Sequence, residues 1–314
     1  MTPLDTLIVV APVFLTLGGG AFATRSGRFR AEHIDGLMNF GQNYAIPCLL
    51  FRTLSQLDLA AAFDVNLLAS FYLGSALCFL IGAAGAMLLF RRGSVDAVIL
   101  GFSSLYCNAV LLGLPITERA VGKEGLPAIF AIVSFQAPVC YLIGITAMEV
   151  TRANGDGAHK TAIRTAKALT RQPNMIALAL GFAANLSGLH FPAFATTTLD
   201  MVGGAGLPIS LFALGGALSG YRLRGSLMAA SFVAAISLLV RPAIVLLLGG
   251  LVFHLPQPTL HSAVMMAAMA PGVNTYIFAN IYGHARDVAG SAVLLGTMLS
   301  VLTATIWITI LAGG

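Results

Sequence analysis

Apolar residues run along this chain in stretches of about twenty, separated by short loops that hold most of its charge. A bilayer hydrocarbon core about 30 Å thick needs about 20 apolar residues as helix. On that measure the pattern predicts ten spans, near residues 5–24, 34–55, 65–90, 95–117, 125–149, 172–190, 196–219, 226–253, 259–283 and 288–312. Two of the ten are interrupted. SSLYCNAVLLGLP (103–115) and AAMAPGVNTYIFAN (267–280) each place an asparagine among apolar residues, with glycine and proline close by. Lipid offers no partner to a freed N–H or C=O, so such breaks survive only where protein or a water-filled cavity surrounds them. Gly/Pro-interrupted spans in matching positions of two halves point to the binding site of a secondary transporter.

The loop charges orient the spans. Loops after odd-numbered spans hold 13 of the 17 basic residues, including Arg25, Arg28 and Arg30, Arg91 and Arg92, and the group Arg152, Lys160, Arg164, Lys167 and Arg171. Lys and Arg in short loops mark the cytoplasmic side, which puts both termini on the periplasmic or extracellular side. The basic balance is thus a topology signal, and nucleic acid is not an expected partner. Five spans (1–150), a cytoplasmic linker (151–171) and five more spans (172–314) insert the two halves with opposite orientation, because five is odd. Internal similarity agrees. AIPCLLFRTL with Pro47 resembles GLPISLFALG with Pro208, 161 residues on, and Asn108 precedes Asn274 by 166. The fold class expected is therefore all-α and integral to the membrane, with ten helices in two inverted five-helix repeats. The linker, short and basic, is expected as a surface helix near anionic lipid.

Composition strengthens the membrane assignment: 58% of residues are hydrophobic and 9% charged, against about 25% charged in soluble domains. Cys48, Cys78, Cys107 and Cys140 all lie in apolar runs without ligand spacing and read as small buried hydrophobes. The opening MTPLDTLIVV lacks the basic start of a cleaved signal, so the first apolar run is expected to stay as a span.

Asn108, Gly113 and Pro115 in one broken span, and Pro271, Gly272 and Asn274 in the other, are the candidate substrate-binding residues. Proline removes a backbone donor, glycine admits a close neighbour, and asparagine adds uncharged donors and acceptors. If the spans cross, four half-helix ends meet, and the N-terminal ones suit a carboxylate. The alternative is that Pro and Gly merely kink the helices and each Asn bonds between them. Gln136, beside Pro138, and Arg241, in LLVRPAIVLLL, are further candidates. A charge within a span is costly and marks function by default; Arg241 either attracts an anion or snorkels outward. Gln42, Asn43 and Ser210 also lie at depth, and Arg52 is expected to snorkel.

No acidic residue falls in the middle of a predicted span; Glu118 and Asp200 come nearest, at the outer boundary. A cation-coupled carrier usually keeps a carboxylate in its transport site. Transport driven by the anion gradient and the membrane potential, about 2.3 kcal/mol per charge per 100 mV, fits this chain better. The alternative is a proton- or sodium-coupled organic-acid symporter using Asp200 or Glu118. An intramembrane hydrolase would need a Ser/His pair, paired carboxylates or a metal at depth, so no enzyme, cofactor or metal is expected. The 34 glycines suit helix packing within a subunit or between two copies, which leaves a homodimer open.

NYAIPCLLFRTLS, CNAVLLGLPITERAVG, GLPISLFALGGALSG, APGVNTYIFANIYG and LLGTMLSVLTA, spread over both halves, resemble the auxin efflux carrier family. That family joins plant auxin carriers with bacterial permeases, some named as malonate transporters. The resemblance implies crossed helices four and nine, a fold similar to bile-acid symporters and sodium/proton antiporters, and a transport domain moving against a scaffold. It implies a bacterial inner-membrane carrier of a small organic anion, a carboxylate such as malonate or an auxin-like acid. By position, Asn108, Pro115, Pro271 and Asn274 would form the crossover. The long hydrophilic loop of many plant carriers is absent here, so regulation through that loop is not implied.

Overall fold

Backbone polar groups buried in an apolar chain must bond within their own segment, and helices do this without a partner. The computed structural model describes residues 3–57, 63–152, 163, 167, 170–189, 191–220 and 227–313, and it is helical throughout. The helices are α1 (Pro3–Arg25), α2 (Ala31–Phe40), α3 (Ile46–Leu54), α4 (Val65–Leu88), α5 (Ser94–Leu105), α6 (Leu114–Val121) and α7 (Leu126–Thr151). The second half adds α8 (Pro173–Leu186), α9 (Ala193–Gly220), α10 (Leu227–Ala235), α11 (Arg241–Leu247), α12 (Gln257–Ala267), α13 (Val273–Tyr282) and α14 (Arg286–Gly313). Single π turns carry α2 into α3 (Gly41–Ala45) and α10 into α11 (Ile236–Val240). Among the described residues no strand forms, and the one extended pairing is an isolated antiparallel bridge between Cys107 and Pro271.

Six helical stretches among the described residues are long and apolar enough to cross a membrane: Ile8–Arg25, Val65–Leu88, Lys123–Thr151, Ala193–Gly220, Leu227–Val252 and Arg286–Ala312. The chain is a multi-pass helical membrane protein. The other predicted spans are shorter or divided. The span expected at 34–55 is α2, a π turn and α3. The span expected at 172–190 is only α8, which stops at Leu186 ahead of Gly188 in the left-handed region (φ +63°). The spans at 95–117 and 259–283 are each split in two. Most of the linker helix expected at 151–171 lies outside the described residues.

The residues divide into two compact units. One comprises Met1–Val10, Phe63–Ala162 and Tyr221–Gly314; the other comprises Ala11–Ala62 and Ile163–Gly220. Each half of the chain therefore contributes its last three predicted spans to the first unit and its first two, apart from the opening residues, to the second.

Small residues set the packing within both units. In the second, a Cβ on Gly20 would fall 1.9 Å from the Phe212 carbonyl oxygen, and one on Gly215 would fall 1.8 Å from that of Leu17, so α1 and α9 touch backbone to backbone. The Asn185 amide donates to the Leu54 and Leu57 carbonyls (3.0 and 2.7 Å) and so closes the end of α3. In the first unit, Ala86, Ala97, Leu100, Ala229, Ala230, Val233, Val288 and Ala292 form a seam joining α4, α5, α10 and α14. Side chains this small let helices approach closely where lipid provides no hydrophobic drive for association.

Candidate functional site

The two interruptions meet inside the first unit. α5 ends at Leu105, and Tyr106 turns extended (φ −90°, ψ 114°). α12 ends at Ala267, and the chain then runs to Gly272 before α13 begins. The Asn108 N–H donates to the Ala270 carbonyl (2.8 Å), and the Gly272 N–H donates to the Tyr106 carbonyl (3.0 Å). Cys107 and Pro271 face each other between those bonds. This is the position of an antiparallel pair that exchanges no hydrogen bond, so proline's missing donor costs the bridge nothing. A Cβ on Gly272 would lie 3.0 Å from the Cys107 oxygen, and one on Gly113 would lie 2.9 Å from Met266 Sδ. Both glycines are there for close approach.

Four helix ends gather around this bridge. The N-terminal ends belong to α13, preceded by Gly272, and to the π turn Ala109–Gly113 leading into α6, preceded by Asn108. Neither carries a side-chain cap. First-turn N–H groups have no intrahelical partner, and the dipole there is positive, which together suit an anion. The C-terminal ends, of α5 and α12, point their carbonyls at Arg241. Its guanidinium is fully buried (0% exposed). Nε donates to the Ala267 carbonyl (2.8 Å), Nη1 to those of Ser104 (3.3 Å) and Leu105 (3.0 Å), and Nη2 to that of Met269 (2.7 Å). Arg241 does not snorkel outward.

The structure brings most of the sequence-predicted residues together. Asn108 is 7% exposed, and its Nδ2 has no hydrogen-bond partner. Asn274, half-buried, gives its Nδ2 to the Tyr106 hydroxyl (2.8 Å). Gln136 (4% exposed) donates Nε2 to the Cys107 carbonyl (2.6 Å) and so ties α7 to the bridge. Pro115 is buried but stands in the first turn of α6, beyond the break. The chain leaves helical geometry at 106–108, because the π turn absorbs the irregularity ahead of Pro115: the N–H groups of Leu112 and Gly113 both donate to the Asn108 carbonyl (3.2 and 2.9 Å).

Sequence reasoning missed Tyr106, although it stands two residues before Asn108 in the broken segment. Its ring belongs to an aromatic cluster that clamps α5, α7 and α13. Phe102 and Phe278 stack at 4.0 Å, Tyr141 meets Phe102 edge-on at 5.2 Å and Tyr106 at 5.9 Å, and Phe278 lies 4.8 Å from Tyr282. Such pairs add about 0.5–1.5 kcal/mol each beyond their burial. The signal lay in aromatic residues four apart: Phe102 with Tyr106, and Phe278 with Tyr282.

The boundary carboxylates lie elsewhere. Asp200 belongs to the second unit and pairs with Arg52, 2.9 Å from Nε to Oδ1, with the hydrogen bond running from Nη2 to Oδ2 at 3.4 Å. Arg52, expected to snorkel, is held by that pairing. Gln42, Asn43 and Ser210 also lie in the second unit. Glu118 stands in the last turn of α6. Among the described residues no group of three or more His, Cys, Asp or Glu gathers where it could hold a metal ion.

A multi-pass helical body with two divided helices bonded at their breaks has the build of a membrane transporter. A family model described as a membrane transport protein matches residues 6–308, and the chain belongs to that family, in which the auxin efflux carriers also stand. It is a transporter and not an enzyme. It is 23% identical over 302 residues to a candidate malonate transporter of Rhizobium meliloti (strain 1021), covering 95% of this chain and 93% of that protein. An uncharacterized transporter of Escherichia coli (strain K12), YfdV, is 21% identical over 300 residues, 95% of each chain. Auxin efflux carrier component 8 of Arabidopsis thaliana is 21% identical over 355 aligned positions, 93% of each chain.

Proposed function

We propose that this transporter carries a small organic anion of the carboxylate class, malonate-like or auxin-like, across the inner membrane by alternating access and without a bound cation. One observation carries the proposal. Two uncapped helix N-termini meet at one backbone bridge, and the buried Asn108 amide beside them has a donor with no partner. A carboxylate satisfies all three, since it accepts hydrogen bonds and favours the positive dipole end. Pro271, Gly272 and Gly113 shape the approach, and Asn274 and Gln136 hold the bridge. The relative named for malonate transport agrees with this substrate class.

The proposed architecture is ten helices in two inverted repeats, residues 1–150 and 172–314, joined by the linker 151–171, with both termini outside. Its support is the composition of the two compact units, each drawing the same ordinal spans from both halves. The unit that contains the crossover is the moving part of an elevator, and the other unit is its scaffold. The membrane potential drives the anion.

Counterflow in proteoliposomes tests this. Protein preloaded with unlabelled malonate is expected to accumulate labelled malonate, and Asn108→Ala to lose that accumulation. Exchange of no carboxylate in a mono- and dicarboxylate panel, or full activity in Asn108→Ala, would sink the proposal. Uptake that stops without sodium or a proton gradient would instead favour a symporter using Asp200 or Glu118.

A further inference from the structure

Among the described residues Arg241 is the only charged side chain that is fully buried, and no carboxylate pairs with it. An unpaired buried charge is among the costliest features a fold can carry. Here it is held by N–H···O bonds to the Ser104 and Leu105 carbonyls at the end of α5, to that of Ala267 at the end of α12, and to that of Met269 just beyond. The arithmetic of those ends explains why. A helix C-terminus carries about half a negative charge, so two of them facing one point amount to about one full negative charge. One guanidinium balances them.

We infer that Arg241 is a built-in counter-charge to the two C-terminal half-helix ends, which leaves the two N-terminal ends of the same crossover as a net positive site for the anion. The inference rests on the organic-anion function proposed above. All three guanidinium nitrogens donate to backbone carbonyls. Arg241 is therefore a positioning residue that acts on the substrate through its field and not by contact.

The charge of the ligand separates this role from simple bracing. Malonate and its monoamide, malonamate, differ by one charge at nearly equal size, and each is used to inhibit labelled-malonate counterflow. Arg241→Gln is expected to weaken malonate about tenfold more than malonamate, the order expected for removing a unit charge several ångströms away at intermediate dielectric. Arg241→Lys, which keeps the charge but loses the fork, is expected to keep the wild-type ratio of the two inhibition constants within about twofold, even where maximal rate falls. Equal weakening of both acids in Arg241→Gln, or loss of the ratio in Arg241→Lys, overturns the inference. Should Arg241→Gln fail to reconstitute, the neutral Arg241→Met is read in its place by the same ratio, and equal weakening of both acids overturns the inference. A wild-type protein inhibited by neither acid overturns the carboxylate function itself, and the inference with it.

Discussion

The two broken helices repeat one motif and use it differently. At the first break Asn108 is buried with a free donor; at the second Asn274 is half-buried and its donor is held by Tyr106. The backbone treats them alike, each strand giving one hydrogen bond to the other across the bridge. Side-chain chemistry breaks the symmetry. The surroundings leave the amide donor of one asparagine without a partner and tie that of the other to an aromatic hydroxyl. The aromatic ring that braces Asn274 stands two residues before Asn108, so the first break supplies both the open amide and the clamp on the second.

The largest expected effect falls on the open side. Asn108→Ala is expected to lower kcat/KM for carboxylate counterflow about 100-fold, the loss of a hydrogen bond to a charged group of about 1.5–3 kcal/mol. An equal or larger loss in Asn274→Ala would break the distinction between the two asparagines. Next comes the bridge itself. Gly272→Val sets a branched side chain against the Cys107 carbonyl, where a Cβ alone already lies 3.0 Å away. It should lower stability by about 1–3 kcal/mol, read as a lower melting temperature in detergent, whereas Gly113→Ala should cost less because Met266 is flexible and yields.

Asn274→Ala is expected to reduce kcat/KM about tenfold, and Tyr106→Phe, which removes only the hydroxyl that holds it, about fivefold, in keeping with about 1 kcal/mol for one neutral hydrogen bond. If they act through one contact, the double variant should be no worse than Asn274→Ala alone; an additive loss would show separate roles. The smallest effect is expected at Asp200→Asn. The pair is open to its surroundings on the Asp200 side (55% exposed, against 19% for Arg52), and such ion pairs contribute about 0–1 kcal/mol, so counterflow should change less than twofold and stay independent of sodium.

The two interrupted spans were legible in the sequence. Asn108 and Asn274 stood out because a polar amide among apolar residues at membrane depth has few innocuous explanations, and both did come to one bridge. Gln136 was legible for the same reason. Pro115 misled about where the first helix breaks. Proline announces that a donor is missing, but a π turn just ahead of it took up the irregularity, so the chain opened at 106–108 instead. Tyr106 went unread because an aromatic in an apolar run looks like core until its hydroxyl finds a partner. Arg241 was visible as an anomaly, yet its choice between snorkelling, binding and bracing depended on carbonyls 26 and 136 residues away in sequence.

By itself the sequence determined that this protein lives in a membrane, where it is helical, and which two helices are broken. Those follow from transfer free energy and from the need to satisfy each backbone group locally, and both act over a few turns of chain. Tertiary structure alone decided that the breaks bond to each other, that the halves interleave into two units, and that one buried guanidinium faces two helix ends at once. These depend on groups far apart in the chain being held within about 3 Å, and no local pattern of residues records such a distance.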